Sequence, residues 1–126
     1  MRFAEDSQSP FSIQSVSTDG IVIDDRLINH SVLVCAESVQ DWPPRDVNEL
    51  SAEHLSLTTP LGPEIIILGT GSTQVFPPPQ VTGALRQSGV GVEIMANDAA
   101  CRTFNVLLSE DRRVVLALIQ ARPAAL

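Results

Sequence analysis

Two runs of consecutive apolar residues, Ile65-Ile66-Ile67-Leu68 and Val114-Val115-Leu116-Ala117-Leu118-Ile119, constrain this chain more than any other feature. A strand with one wet face alternates apolar and polar residues, whereas an unbroken apolar run has to be covered on both faces. The runs therefore predict the interior of a sheet with layers packed on each side, an α/β architecture in which residues 65–68 form the central strand. At 126 residues and 44% hydrophobic content, the chain can bury such a core without a disulfide or metal staple. A single domain is expected over residues 11–120. Residues 1–10 are polar and end in Ser9-Pro10, which predicts a loose arm, and residues 121–126 are read as a tail, with fraying from Gln120 onward.

The second half reads as alternating strands and helices. Pro79 suits a first helical position and Gly89 a helix end, which predicts a helix over 79–88 with Val81, Ala84 and Leu85 on one face. Val90-Gly91-Val92-Glu93-Ile94 is the next strand, completing a strand, helix, strand unit with a right-handed crossover. Asn97 is placed to cap a third helix that runs to about Leu108, with Ala100, Phe104, Leu107 and Leu108 facing the core. The first half is punctuated differently. Phe11, Ile13 and Val16, the turn Thr18-Asp19-Gly20, the run Ile21-Val22-Ile23, then Asp24-Asp25 and Leu27-Ile28 predict a hairpin and meander. Val32-Leu33-Val34 marks a buried strand, and residues 41–45, with Trp42 and two prolines, a loop. Asp46 and Ser51 are candidate N-caps of a short helix that turns Leu50 and Leu55 inward.

Composition removes several function classes. Eight arginines and no lysine stand against 15 acidic residues, a net charge of -7, so the chain repels phosphate backbones and nucleic acid is not an expected partner. Without lysine there is no P-loop and no Schiff-base chemistry. Cys35 and Cys101 are far apart in sequence, which fits a reduced, cytoplasmic setting. The acidic start, Glu5-Asp6, is unlike a signal peptide. Residues 65–85 carry no charge and are long enough to cross a bilayer, but Gly69, Gly71 and Pro77-Pro78-Pro79 break the stretch into strand, loop and helix. Two histidines and scattered acids, with no HxxxH or CxxC spacing, predict no metal site, and no cofactor fingerprint is present.

Gly69-Thr70-Gly71-Ser72, at the carboxyl end of the first apolar run, is the most suggestive local motif. Glycines there let backbone N–H groups converge on an anion, and they equally make a structural turn. Cys101, near the start of the third helix, is either a thiolate nucleophile or a buried structural thiol; neither His30 nor His54 is spaced to serve it as a base. Glu93 interrupts an apolar strand, and Arg102, Thr103 and Asn105 follow on the next helix. Those four predict a hydrogen-bonded cluster or a plain solvent-facing edge. Arg86 and Arg102 are suited to pairing with carboxylates of a partner.

The ordered blocks Ile67-Leu68-Gly69-Thr70-Gly71, Pro77, Gly91-Val92-Glu93-Ile94-Met95, Ala100-Cys101-Arg102-Thr103-Phe104-Asn105-Val106-Leu107, then Glu110 and Arg113, resemble the Mth938-like domain family over roughly residues 11–120. The resemblance implies a three-layer domain with a central mixed sheet, one face covered by helices and the other by helix plus an N-terminal β-hairpin layer. It also implies docking onto protein partners, linked to respiratory complex assembly, with no catalytic residues. Gly69, Thr70, Gly71, Glu93, Thr103 and Asn105 match the family pattern and, with Ser72, Asn97 and Arg102, make the candidate binding surface. The alternative is an enzyme or ligand carrier using the glycine loop as an anion site. Self-association through the exposed hairpin edge is a further expectation.

Overall fold

A computed structural model describes residues 11–121; the expectations of a loose arm over 1–10 and of a tail beyond Ala121 lie outside the described residues. Two sheets form. The smaller contains β1 (Ser15–Ser17), β2 (Gly20–Ile23) and β3 (Arg26–Ile28) in that order, antiparallel throughout. Its second turn is the two-residue Asp24-Asp25, both with positive φ (52° and 63°), the mirror-image geometry that matches strand twist in a tight hairpin.

The larger sheet is mixed. It contains β4 (Val32–Val34), β5 (Val39–Asp41), β6 (Ile65–Gly69), β7 (Gly91–Met95) and β8 (Val114–Leu118), in the spatial order β5-β4-β8-β6-β7. Both β6–β7 and β6–β8 are parallel, while β4 runs antiparallel to β8 and to β5. The predicted central strand therefore needs correcting: residues 65–68 are interior, but the middle position belongs to β8, the longer apolar run, all five of whose residues are buried. Strand β5 carries no clear sequence signal, because its Gln40 and Asp41 lie exposed and only Val39 packs inward, and it takes Asp41 from the loop expected over 41–45.

Each face of this sheet has its own core. On one side Ile67, Leu116 and Leu118 pack with Ala100, Phe104 and Leu108 of α3 (Asn97–Ser109) and with Ile21 and Ile23 of the small sheet. On the other, Leu33, Ile66, Leu68 and Val115 pack with Leu55 of α1 (Ala52–Ser56) and with Val81 and Leu85 of α2 (Pro79–Gln87). This is the three-layer arrangement that the resemblance implies, with helices on one face and helix plus meander on the other. On α2 the expected inner face shifts: Thr82 is buried where Ala84 is exposed.

Local signals at the helix starts hold where they are local. The Asp46 carboxylate accepts from the N–H groups of Asn48 and Glu49. Ser51 and His54 form a reciprocal capping box, and the His54 carbonyl accepts from Trp42 Nε1 at 2.9 Å. The two sheets are stitched by side chains. Asn105 Oδ1 accepts from Ile13 N–H, and its Nδ2 donates to Ile13 C=O, both at 2.8 Å, so one amide plays the part of a neighbouring strand. Gln120, expected to fray, is fixed: its N–H donates to Ser31 Oγ and its side chain to the carbonyls of Ile28 and His30.

Asn105→Ala leaves both polar groups of Ile13 without that partner. It should lower stability by about 1–3 kcal/mol, the cost of unsatisfied, partly buried backbone groups, read as a lower urea midpoint at unchanged slope.

Candidate functional site

The loop after β6 is organised by Thr70, which is buried. Its N–H donates to Met95 C=O at 3.0 Å, while Oγ1 donates to Thr73 C=O at 2.8 Å and accepts from Val75 N–H at 3.0 Å. Further on, Gln74 Nε2 donates to Ile94 C=O at 2.8 Å and lays the loop across the end of β7. Gly71 (φ 114°) exchanges two bonds with Asn97: its N–H donates to Asn97 Oδ1 at 2.9 Å, and its C=O accepts from Asn97 N–H at 2.8 Å. The Asn97 side chain also donates to Ile119 C=O at 2.8 Å. Asn97 is thus not the cap of α3. That position is taken by Ala96, which makes no side-chain cap bond. The reason is tertiary: the amide is drawn away from its own helix to the two strand exits.

Gly69 makes this approach possible. A Cβ there would fall 2.5 Å from Asn97 Oδ1 and 2.6 Å from Leu118 Cδ1. For anion binding the consequence is direct. The N–H groups of Thr70 and Gly71 already have partners within the protein, and an anion would have to displace them.

Above this floor lies a cleft of about 850 Å³. The first hairpin turn with Asp19 and Gly20, together with Leu27 and Asn29, makes a wall of it, and Ser72, Asp98 and Gln120 also line it. Gly71 and Asn97 reach it as well. The remaining predicted residues do not. Glu93 is exposed on β7, at the far margin of the large sheet. Arg102 is exposed and lies 3.8 Å from Asp98. Thr103 contacts Met95 Sδ at 3.3 Å, and Asn105 is held by Ile13. Arg102, Thr103 and Asn105 thus hold separate partners and Glu93 faces solvent, so the four form the solvent-facing alternative and not one hydrogen-bonded cluster. Asp19, Leu27, Asn29, Asp98 and Gln120 escaped sequence reasoning because they come from four separate chain segments; Asp19 reads locally as turn chemistry and nothing more.

Residues 13–119 match the family described as protein of unknown function (DUF498/DUF598). The chain belongs to this family. Among relatives of this DUF498/DUF598 member is the "13 kDa major membrane protein" of Francisella tularensis, 34% identical over 72% of this chain and 76% of that protein. Another is NADH dehydrogenase [ubiquinone] 1 alpha subcomplex assembly factor 3 of Xenopus tropicalis, 32% identical over 94% of this chain. The chain spans 66% of that relative's own length. A solved Bordetella pertussis structure described as a Mth938-like domain has a TM-score of 0.81 and 25% identity, covering 98% of this chain and 95% of that one.

In this DUF498/DUF598 chain Cys101 is buried on the inner side of α3, and burial first, then the Asp98 carboxylate, pushes its thiol up from 9.0 to about 12. It is a thiol at neutral pH, not a poised nucleophile. His30 pairs with Asp41 at 2.8 Å, and His54 is engaged in its capping box. Among the described residues no group of three or more His, Cys, Asp or Glu is arranged to hold a metal, and no helix is long and apolar enough to cross a membrane.

Two outcomes follow. Gly69→Ala forces Asn97 from its bonds and should destabilise by about 2–4 kcal/mol, from overpacking together with unpaired polar groups, measured by chemical denaturation. The Cys101 shift predicts an alkaline limb. Above pH 9 the unfolded thiol ionises while the folded one stays protonated to about 12, so the unfolded state binds fewer protons and stability falls as pH rises. The sequence contains neither lysine nor tyrosine to compete in that window, and Cys101→Ala should flatten the fall seen in thermal melts from pH 9 to 11.

Proposed function

We propose that this chain works by docking, as an assembly factor for a respiratory NADH dehydrogenase, and that residues 11–120 act as one docking unit in the cytoplasm. The observation that carries the reading is the match to the Xenopus assembly factor along 94% of this chain, at 32% identity. The site's chemistry supports it. The loop amides of Thr70 and Gly71 are committed to Met95 and Asn97, and the Cys101 thiol is buried and held protonated. What the cleft offers is shape, exposed apolar surface and carboxylates, the means of recognition.

Deletion of the gene in its host tests the reading. NADH:quinone reductase activity and the assembled enzyme on native gels should fall several-fold, with subassemblies accumulating, and the full-length chain should restore both. Normal amounts of assembled enzyme in the deletion strain would overturn it.

A further inference from the structure

We propose that the cleft receives an extended, basic segment of a partner protein, laid as an added strand along the free edge of β3. This rests on the docking reading above and specifies what docks. Strand β3 is the last of its sheet, with Val22 opposite Leu27 and Ile23 opposite Arg26. In a two-residue hairpin the residues flanking the turn, here Ile23 and Arg26, exchange the ladder bonds. The pleat alternates, so the N–H and C=O of Leu27 turn to the outer edge. Leu27 and Asn29, which share that direction, both line the cleft, whereas Ile28 between them packs against the core. The strand that lacks an outer neighbour therefore borders the cavity at Leu27 and, just past its end, at Asn29.

The side chains indicate what would occupy it. Leu27 is 56% exposed, an apolar surface that an incoming side chain would cover. The ionisable residues of the lining are Asp19 and Asp98, with no arginine or histidine among them. Arg102 pairs with Asp98 only at 3.8 Å between two exposed side chains, a loose contact that an incoming guanidinium can replace. On a chain of net charge -7, the potential at the cleft favours arginine or lysine beside apolar residues. It disfavours a second copy of this chain, which would bring the same charge. Extended segments bind in this way when main-chain bonds to a sheet edge give affinity and alternate side-chain pockets give selectivity.

A display library of random seven-residue peptides selected on the immobilised full chain tests this, followed by titration of the strongest peptide into ¹⁵N-labelled protein. Enriched sequences should carry arginine or lysine beside apolar residues, and shifted amides should include Asp19, Leu27, Asn29, Ser72 and Asp98. Asp19→Asn with Asp98→Asn, both exposed positions, should weaken binding at least tenfold. Leu27→Pro, which removes an edge donor, should weaken it more than Leu27→Ala, with the dispersed spectrum of the folded chain confirming both variants. Acidic or uncharged consensus peptides, no enrichment, shifts confined to other surfaces, indifference to the Asp pair, or self-association that blocks the peptide would each overturn the proposal. The two readings fail separately. Lost enzyme assembly without peptide selection rejects the cleft and keeps the docking role, while cleft-directed peptides with normal assembly reject the assembly role alone.

Discussion

The side-chain amide of Asn97 holds together the exits of the two strands that are buried on both faces. A doubly covered strand cannot solvate its backbone, and where it ends the polar groups still need partners. At the ends of β6 and β8 those partners are internal. Ile119 N–H donates to Gly69 C=O, Asn97 donates to Ile119 C=O, and Asn97 accepts from Gly71 N–H. The missing side chain at Gly69 gives the amide its room. One residue thereby fixes two strand exits and the start of α3 and builds the floor of the cleft; shortening Asn97 would disturb all three together.

The parts of this fold legible in the sequence are those decided by neighbours in the chain. The apolar runs of β6 and β8, the Asp24-Asp25 turn, the Asp46 and Ser51 caps and the Pro79 helix start each depend on a few adjacent residues, and each is found where its local pattern puts it. What was not legible depends on residues distant in sequence. An asparagine at the start of a helix has the same local signature whether it caps that helix or reaches across to a neighbouring loop, and Asn97 does the second. Asn105 reads as a polar surface residue, yet it bonds to Ile13, 92 positions away. The middle position of β8 depends on the antiparallel arrival of β4, which the hydrophobicity of either strand does not encode.

The candidate surface divides along the same line. Gly69, Thr70 and Gly71 stand out in the sequence because glycine and threonine at a strand exit signal a special backbone. Their special task proves to be closure of the loop on itself and on Asn97. A motif that resembles an anion cradle is thus largely filled by the protein's own acceptors, and the open space lies above it. That space is bounded by Asp19 and Asp98, residues unremarkable in isolation and informative only once the fold brings them to the same cavity.

The position of the meander is what gives the cavity its shape. Its three short strands form little sheet of their own, and three-stranded sheets of this size gain independent stability chiefly by packing on something else. Here Ile21 and Ile23 pack on α3 and the large sheet, while Asn105 and Gln120 fix the meander by hydrogen bonds at two separate points. Gln120 belongs to the segment that follows β8 and bonds to Ile28, and Asn97 bonds to Ile119 of the same segment, so the wall carrying Leu27 and the floor carrying Gly71 are tied to a common strand exit. A segment added to the β3 edge would press on a wall braced against the most buried strand of the molecule. The cleft can then hold its shape before a partner arrives, which lowers the ordering cost of binding and leaves selection to the charge and apolar surface that the partner presents.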